Sequence, residues 1–267
     1  MLKRPPITFV VLAIVMMLTS FVHGRSRLWN ITQAQSDLDR QQQRLQSSEP
    51  EERRDAVMRL GSMRTAAASK LALPALSDPV PMVRAVAARA ILSLGPEQSV
   101  SALIPLLNDK DEFVRRETAY ALGSTHSRSA TQALGNLLLS DKDAGVRSAA
   151  AVALGETRDE AAVVLLSSVL APELITPVNN KVKAEKNGFV LRAAARSLGQ
   201  IRSRAGTQAL ASALGNEKNE FDVRREAAVS LGAIGDPTAV SVLTAAASSE
   251  DPYLAKAASE SLRKISH

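Results

Sequence analysis

The sequence predicts an all-α, right-handed α-solenoid of about seven helix pairs, preceded by an N-terminal hydrophobic helix. Three observations support this prediction. A short motif recurs at a period near 32 residues, the apolar residues are mostly alanine, leucine and valine, and only 3% of the 267 residues are aromatic. Alanine and leucine favour packed helices over sheets. A fixed period of this size is typical of stacked repeats.

The N-terminal segment has the pattern of an export signal. Lys3 and Arg4 precede an uncharged stretch, residues 5–22, which contains the apolar run ITFVVLAIVMML. A basic start followed by an apolar run is typical of such signals. The length of the stretch is also close to the roughly 20 residues that span a bilayer as a helix.

Residues 1–29 are therefore expected to act as a signal peptide or an N-terminal membrane anchor. Trp29 would lie at the membrane interface in an anchor, whereas the small residue Gly24 suits the position before a cleavage site. A buried core helix is the alternative. Both export interpretations place the repeats outside the cytoplasm, either anchored to the inner membrane or periplasmic or secreted after cleavage near Gly24, because the basic residues hold the N-terminus inside.

The charge and cysteine content exclude several classes of function. The net charge is +6, and the first 30 residues supply +4 of it, so the other 237 residues carry 29 basic and 27 acidic side chains. This near-neutral balance argues against a nucleic-acid partner. The absence of cysteine excludes disulfides, thiolate metal sites, a cysteine nucleophile and a lipid-modified cysteine.

One motif is repeated along the rest of the chain. Its leading positions are Glu52, Val83, Val114, Val146, Val190, Val223 and Leu254. From Val83 onward the spacings are 31, 32, 44, 33 and 31 residues, so a single insertion interrupts the period. The insertion spans residues 172–188 and contains Lys181, Lys183 and Lys186. It is interpreted either as a tolerated surface loop or as a loop that contacts a partner.

Each unit is predicted to contain two helices, as residues 99–108 and 111–122 illustrate. Apolar residues recur in both segments at the helical period. Asp109 and Asp111 are expected to cap the second helix, and Gly123 to end it in the left-handed conformation. The register extends back to residues 33–47, which form either the first helix of the first unit or a linker.

The motif VRxxAAxALG, followed by turn residues such as AIGDP (Ala233–Pro237), resembles the HEAT-like repeat family in the short form of the phycobilisome lyases. The resemblance implies a solenoid over residues 30–267. Because the motif residues build the fold, it says little about activity. A non-catalytic scaffold of the bacterial envelope, which binds a protein along the solenoid surface, is the function expected. An accessory lyase or chromophore-handling protein is the alternative, and a DNA-binding protein a more remote one.

Catalytic and metal-binding signatures were sought within this resemblance. Deoxyhypusine hydroxylase, a HEAT-like enzyme, holds two iron ions with His-Glu pairs, but His23, His126 and His267 are not followed by glutamate. The chain also has no G-x-S-x-G turn and no glycine-rich phosphate loop. We therefore expect no metal, no cofactor and no enzymatic activity.

Two arginine columns run through the repeats. The first follows the leading position and is interpreted as a structural ladder in which each guanidinium bonds a turn aspartate of the next unit, with a ligand-binding role as the alternative. Its members are Arg53, Arg84, Arg115, Arg147 and Arg224. The second lies one residue on and contains Arg54, Arg116, Arg192, Arg225 and Lys256. It forms either a solvated face or a basic stripe that docks an acidic or extended protein partner.

Four aromatic residues lie near the leading positions. They are Phe113, Phe189, Phe221 and Tyr253. At this spacing they are interpreted as packing residues that fill the corner between helices, with stacking on a ligand as the alternative.

Overall fold

The computed structural model describes residues 33–174 and 185–266, and all the regular structure in them is helical. Residues 33–44 form α1. The other α-helices are α2 Pro50–Met63, α3 Ala66–Ala72, α4 Pro81–Ala90, α5 Pro96–Leu103, α6 Glu112–Ser124, α7 Thr131–Ser140, α8 Ala144–Thr157, α9 Ala161–Leu170, α10 Gly188–Ile201, α11 Thr207–Gly215, α12 Phe221–Ile234, α13 Val240–Ala246 and α14 Pro252–Ile265. The predicted all-α fold with seven helix pairs is confirmed.

The helices stack in two layers. The even-numbered helices contact one another in chain order from α2 to α14, and α7, α9, α11 and α13 do the same behind them. One continuous apolar core lies between the layers, and the leading valines from Val83 to Val223 are at most 1% exposed. Each unit therefore packs mainly on its neighbours, as in a repeat solenoid.

The predicted N-terminal helix, with its anchor residues 5–22 and the cleavage site at Gly24, lies outside the described residues. Among the helices that the structure does describe, none combines the length and apolarity needed to cross a bilayer.

Prolines shorten two of the odd-numbered helices. Helices α3 and α5 pass into 3₁₀ turns, Leu73–Ser77 and Ile104–Asn108, with Pro74 and Pro105 near their starts. Proline lacks the N–H that an α-helix needs at this point. The predicted helix 99–108 is therefore α-helical only as far as Leu103.

The prediction that Gly123 ends its helix in the left-handed conformation is wrong. Gly123 lies inside α6, and the left-handed residue comes three positions later, at His126 with φ = 52°. The equivalent positions of the other units are also left-handed. They are Arg64, Gly95, Arg158, Arg202 and Gly235. The repeats therefore reverse direction at this position even where the residue is not glycine.

Replacing Arg158 with glycine is expected to stabilise the protein by roughly 1 kcal/mol, because a left-handed conformation strains a side-chain-bearing residue by about that amount. Arg158 has φ = 49° and is exposed. Denaturant unfolding measures the effect. Arg128→Gly is the control, because Arg128 is also exposed but is not among the positive-φ residues. Equal losses of stability in both variants would contradict the expectation.

Candidate functional site

The first arginine column connects successive units through buried ion pairs. The Arg84 guanidinium donates from Nε and Nη2 to the two carboxylate oxygens of Asp109, each at 2.7 Å, and from Nη1 to the carbonyl oxygen of Asp78 at 2.8 Å. Arg53 binds Asp78 and Arg115 binds Asp141 in the same way. Each guanidinium thus holds the turn of its own unit against the turn of the next.

The turn carboxylates have a second bond that fixes them in place. Asp109 accepts from the backbone N–H of Asp111 at 2.9 Å, and Asp78 and Asp141 accept from the residue two positions on. Burial raises the pKa of Asp109, but the Arg84 hydrogen bond and this N–H outweigh burial, so the pKa lies below its usual value. The pKa values of Asp78 and Asp141 are lowered for the same reasons.

The free energy of unfolding is expected to be nearly constant around neutral pH and to fall in acid. A carboxyl group with a lowered pKa in the folded state stabilises fully above its unfolded pKa of about 4 and loses this contribution as the pH falls through the lower folded value. Unfolding curves recorded from pH 7 to pH 3 measure the effect. Asp109→Asn should be less stable at pH 7 and converge towards the parent in acid; parallel profiles would contradict the assignment.

The insertion is tied to the repeats at both of its described ends. Arg147 donates to Glu185 at 2.7 and 3.2 Å, so a carboxylate from beyond the insertion completes the fourth pair. At the other end, the Ser212 hydroxyl donates to Glu173 at 2.5 Å. Lys181 and Lys183 lie outside the described residues, and Lys186 is exposed.

Arg224 departs from the expected ladder. Its Nε donates to the carbonyl oxygen of Leu214 at 2.9 Å, whereas its neighbour Arg225 binds Asp251 through two nitrogens and Asp222 through the third. The reason is a changed partner, because Ser249 occupies the turn position that holds aspartate in earlier units. Ser249 still accepts the N–H two residues on, but it has no carboxylate for Arg224.

The other members of the basic column lie on the open side of the even-numbered helices. Arg116 and Arg192 have side chains 39% and 40% exposed, Arg54 lies 3.1 Å from Asp55, and Lys256 is exposed. Arg192 is 3.7 Å from Asp222. Arg225 differs from them, because its two ion pairs make it part of the structure.

The aromatic residues are more exposed than predicted. Phe189, Phe221 and Tyr253 are 66%, 47% and 70% exposed, so the interpretation as corner-filling residues is wrong for these three. Their rings instead pack against guanidinium groups. Arg192 lies 5.5 Å from the Phe189 ring centroid, and Arg225 lies 5.9 Å from Phe221 and 5.1 Å from Tyr253. Such contacts hold both groups in place while leaving a ring face to solvent.

A second set of ion pairs crosses the same face and was not predicted. Arg196 of α10 binds Glu226 of α12 through two hydrogen bonds of 3.1 and 2.8 Å, and Arg89 of α4 lies 3.9 Å from Glu117 of α6. In both pairs the arginine lies six residues after its leading position, and the glutamate three residues after the next one. Comparing columns of neighbouring units, rather than single columns, is the signal that would have found them.

Two adjacent cavities open on the face of the even-numbered helices. One, of about 450 Å³, lies across α2, α4 and α6 and is lined mainly by apolar groups, including Met58, Val86 and Phe113. The other, of about 420 Å³, lies across α6 and α8 beside Tyr120 and Val152. Arg89 lines both.

Residues 33–174 and 185–266 bring together no cluster of three or more potential metal-ligating side chains. The histidine that the sequence analysis considered there, His126, has Nδ1 3.0 Å from the carbonyl oxygen of Glu156.

Comparisons with known proteins identify the repeat type. The family model described as HEAT repeats matches residues 39–123, 100–174 and 182–263. No curated protein matches the sequence.

Solved structures show the same fold at low sequence identity. The YibA protein of Escherichia coli is 19% identical with a TM-score of 0.59, and the match covers 87% of this chain and 82% of that one. The CpcE–CpcF complex of phycocyanin lyase from Nostoc is 24% identical (TM-score 0.47; 86% and 93% covered). Human deoxyhypusine hydroxylase in complex with glycerol is 19% identical (TM-score 0.41; 90% and 99% covered). The repeated motif and the family match together show that the chain belongs to the HEAT-repeat family.

Proposed function

We propose that this protein is a non-catalytic scaffold that binds a protein partner along the exposed face of its even-numbered helices. The distribution of exposed apolar residues supports the proposal. Seven of the eleven large apolar side chains that are exposed in the described residues belong to even-numbered helices. Four of the seven are aromatic: Tyr120, Phe189, Phe221 and Tyr253.

These side chains share their face with cations that ring contacts hold in position. Arg192 beside Phe189 and Arg116 beside Phe113 present both an apolar surface and a charge to solvent. Aromatic residues and arginine are enriched in protein interfaces, where they supply most of the binding energy. An acidic or extended partner segment suits this combination.

Placement outside the cytoplasm remains part of the proposal and derives from the sequence of residues 1–29. The repeats would be held at the inner membrane by residues 5–22, or released after cleavage near Gly24. N-terminal sequencing of the mature protein distinguishes the two, because a start at Arg25 indicates cleavage and a start at residue 1 or 2 indicates an anchor.

Site-specific photo-crosslinking tests the binding face. A photoreactive amino acid replaces Phe189 on the even-numbered face or Val164 on α9, which are 66% and 62% exposed and so form a matched pair. In cells of the source organism, we expect a discrete crosslinked protein from position 189 and none from position 164. Arg192→Glu should weaken that crosslink. The same crosslinks from both positions, or none from 189, would refute the proposal.

A further inference from the structure

The 450 Å³ groove occupies a break in two of the repeat columns. Ala85 of α4 stands where α2 and α6 carry Arg54 and Arg116, and it lies in the wall of the groove. Leu92 stands where five other units carry glycine, and it also lines the groove. Helix α4 ends early, at Ala90. The groove is thus a local departure from the repeat rather than a feature of every unit.

The wall of the groove is an exposed apolar surface. Met58 is 55% exposed, and it faces the groove together with Val86 and Phe113. A volume of about 450 Å³ is ample for a large apolar side chain and its neighbours, since pockets for small ligands begin at about 300 Å³. An exposed apolar patch rimmed by charges is typical of a protein-binding site.

The rim of the groove is net positive. Arg64 and Arg89 line it, and Arg116 lies 5.2 Å from the Phe113 ring centroid. Glu117 is the acidic residue of the lining, at 3.9 Å from Arg89 and 4.0 Å from Arg116. Three guanidinium groups therefore surround one carboxylate. Arg64 and Arg89 are exposed and can be reached by a ligand.

The adjacent 420 Å³ cavity extends the same arrangement. It shares Arg89 with the groove and offers Tyr120 and Val152 as apolar walls. Two apolar cavities therefore flank one exposed cation.

We infer that the two cavities bind a segment of a protein partner in which two large apolar residues flank an acidic residue. The apolar side chains enter the cavities at α2–α4–α6 and α6–α8, and the carboxylate pairs with Arg89. This inference rests on the proposed function and specifies the partner chemistry of one part of the binding face. The net positive rim distinguishes such a segment from a basic one, because like charges at an interface are costly.

Fluorescence anisotropy with labelled synthetic peptides tests the inference. The probes are 14-residue peptides of Gly and Ser that carry two leucines, separated by three to eight residues, with two glutamates between them. Matched sets replace the glutamates by lysine or the leucines by serine. At least one acidic, leucine-containing peptide should bind at least tenfold more tightly than both of its matched versions.

Surface variants locate the binding. Met58→Asp should weaken the best peptide at least tenfold, and Arg89→Glu should weaken it while improving the lysine version. Met82→Asp is the control, because Met82 is 45% exposed on α4 but does not line the groove. Circular dichroism confirms that the variants stay folded.

Two outcomes would overturn the inference: no peptide prefers the acidic version, or Met58→Asp and Met82→Asp bind it alike. If the contrast between crosslinks at positions 189 and 164 persists in either case, the scaffold proposal stands while the inference fails. If that contrast is absent, the proposed function itself fails.

Discussion

Replacing Arg115 with methionine is expected to destabilise the protein by about 3 kcal/mol or more, since removing one partner of a buried ion pair leaves an unpaired charge. The Arg115 and Asp141 side chains are only 8% and 6% exposed. The substitution removes two hydrogen bonds to Asp141, of 2.7 and 3.0 Å, and one of 2.9 Å to the carbonyl oxygen of Asp109. Urea unfolding followed by circular dichroism measures the loss.

The adjacent residue provides the control. Arg116→Met removes the same charge from the same helix, but the Arg116 side chain is 39% exposed and its closest listed carboxylate, in Glu117, is 4.0 Å away. Its effect should stay within about 0.5 kcal/mol, as for most surface substitutions. Arg115→Met combined with Asp141→Asn should recover part of the loss, because the buried charge is gone. Equal effects of the two single arginine variants would show that the ladder is not structurally important.

Much of the fold was predictable because repetition samples the same physical constraint several times. The leading valines, the arginines and the turn aspartates recur at fixed spacings, and stacking requires this of residues that join units. The exceptions could also have been found by comparing both partners of each pair. Leu191, which replaces an arginine, faces a unit with Asn216 at the turn position, and Arg224 faces one with Ser249. Each of these units lacks the turn aspartate.

The candidate binding face was less predictable, because exposure depends on packing between helices that are distant in sequence. The column analysis found Arg116 and Arg192 but not that Phe189 and Tyr253 are exposed. It noted Ala85 only as a gap in the basic column. That gap lines a groove because Met58 of α2 and Phe113 of α6 lie beside it, and only the three-dimensional stacking brings these residues together.

Glycine inside the even-numbered helices has a role that the sequence analysis missed. Each of five glycines lies against a small residue of the next even-numbered helix. The pairs are Gly61–Ala90, Gly123–Ala153, Gly155–Ser197, Gly199–Ser230 and Gly232–Ser261. A Cβ atom added at Gly199 would lie 2.4 Å from the Ser230 hydroxyl oxygen, 2.7 Å from its Cβ and 2.9 Å from its Cα. Helices α10 and α12 are therefore too close for alanine here.

Gly199→Ala is accordingly expected to destabilise the protein by about 2 kcal/mol, because overpacking typically costs 1–3 kcal/mol and exceeds the gain in helix propensity. Gly215→Ala in α11 is the matched control. Its added Cβ would meet nothing closer than Val242 Cγ2 at 3.9 Å, so the same substitution should be neutral or stabilise by up to about 1 kcal/mol. Thermal and urea unfolding of the two variants measure the contrast.

A second substitution separates close packing from other causes. Ser230→Gly removes the hydroxyl and the Cβ that the new methyl group meets, which leaves the Cα at 2.9 Å as the nearest remaining Ser230 atom given for that position. In the Gly199→Ala background it should therefore recover part of the lost stability, although it costs about 1 kcal/mol of helix propensity by itself. Since each unit packs mainly on its neighbours, the damage should concentrate at α10 and α12, as faster amide exchange there. Additive effects of the two substitutions, with uniform exchange along the chain, would contradict a local steric cause.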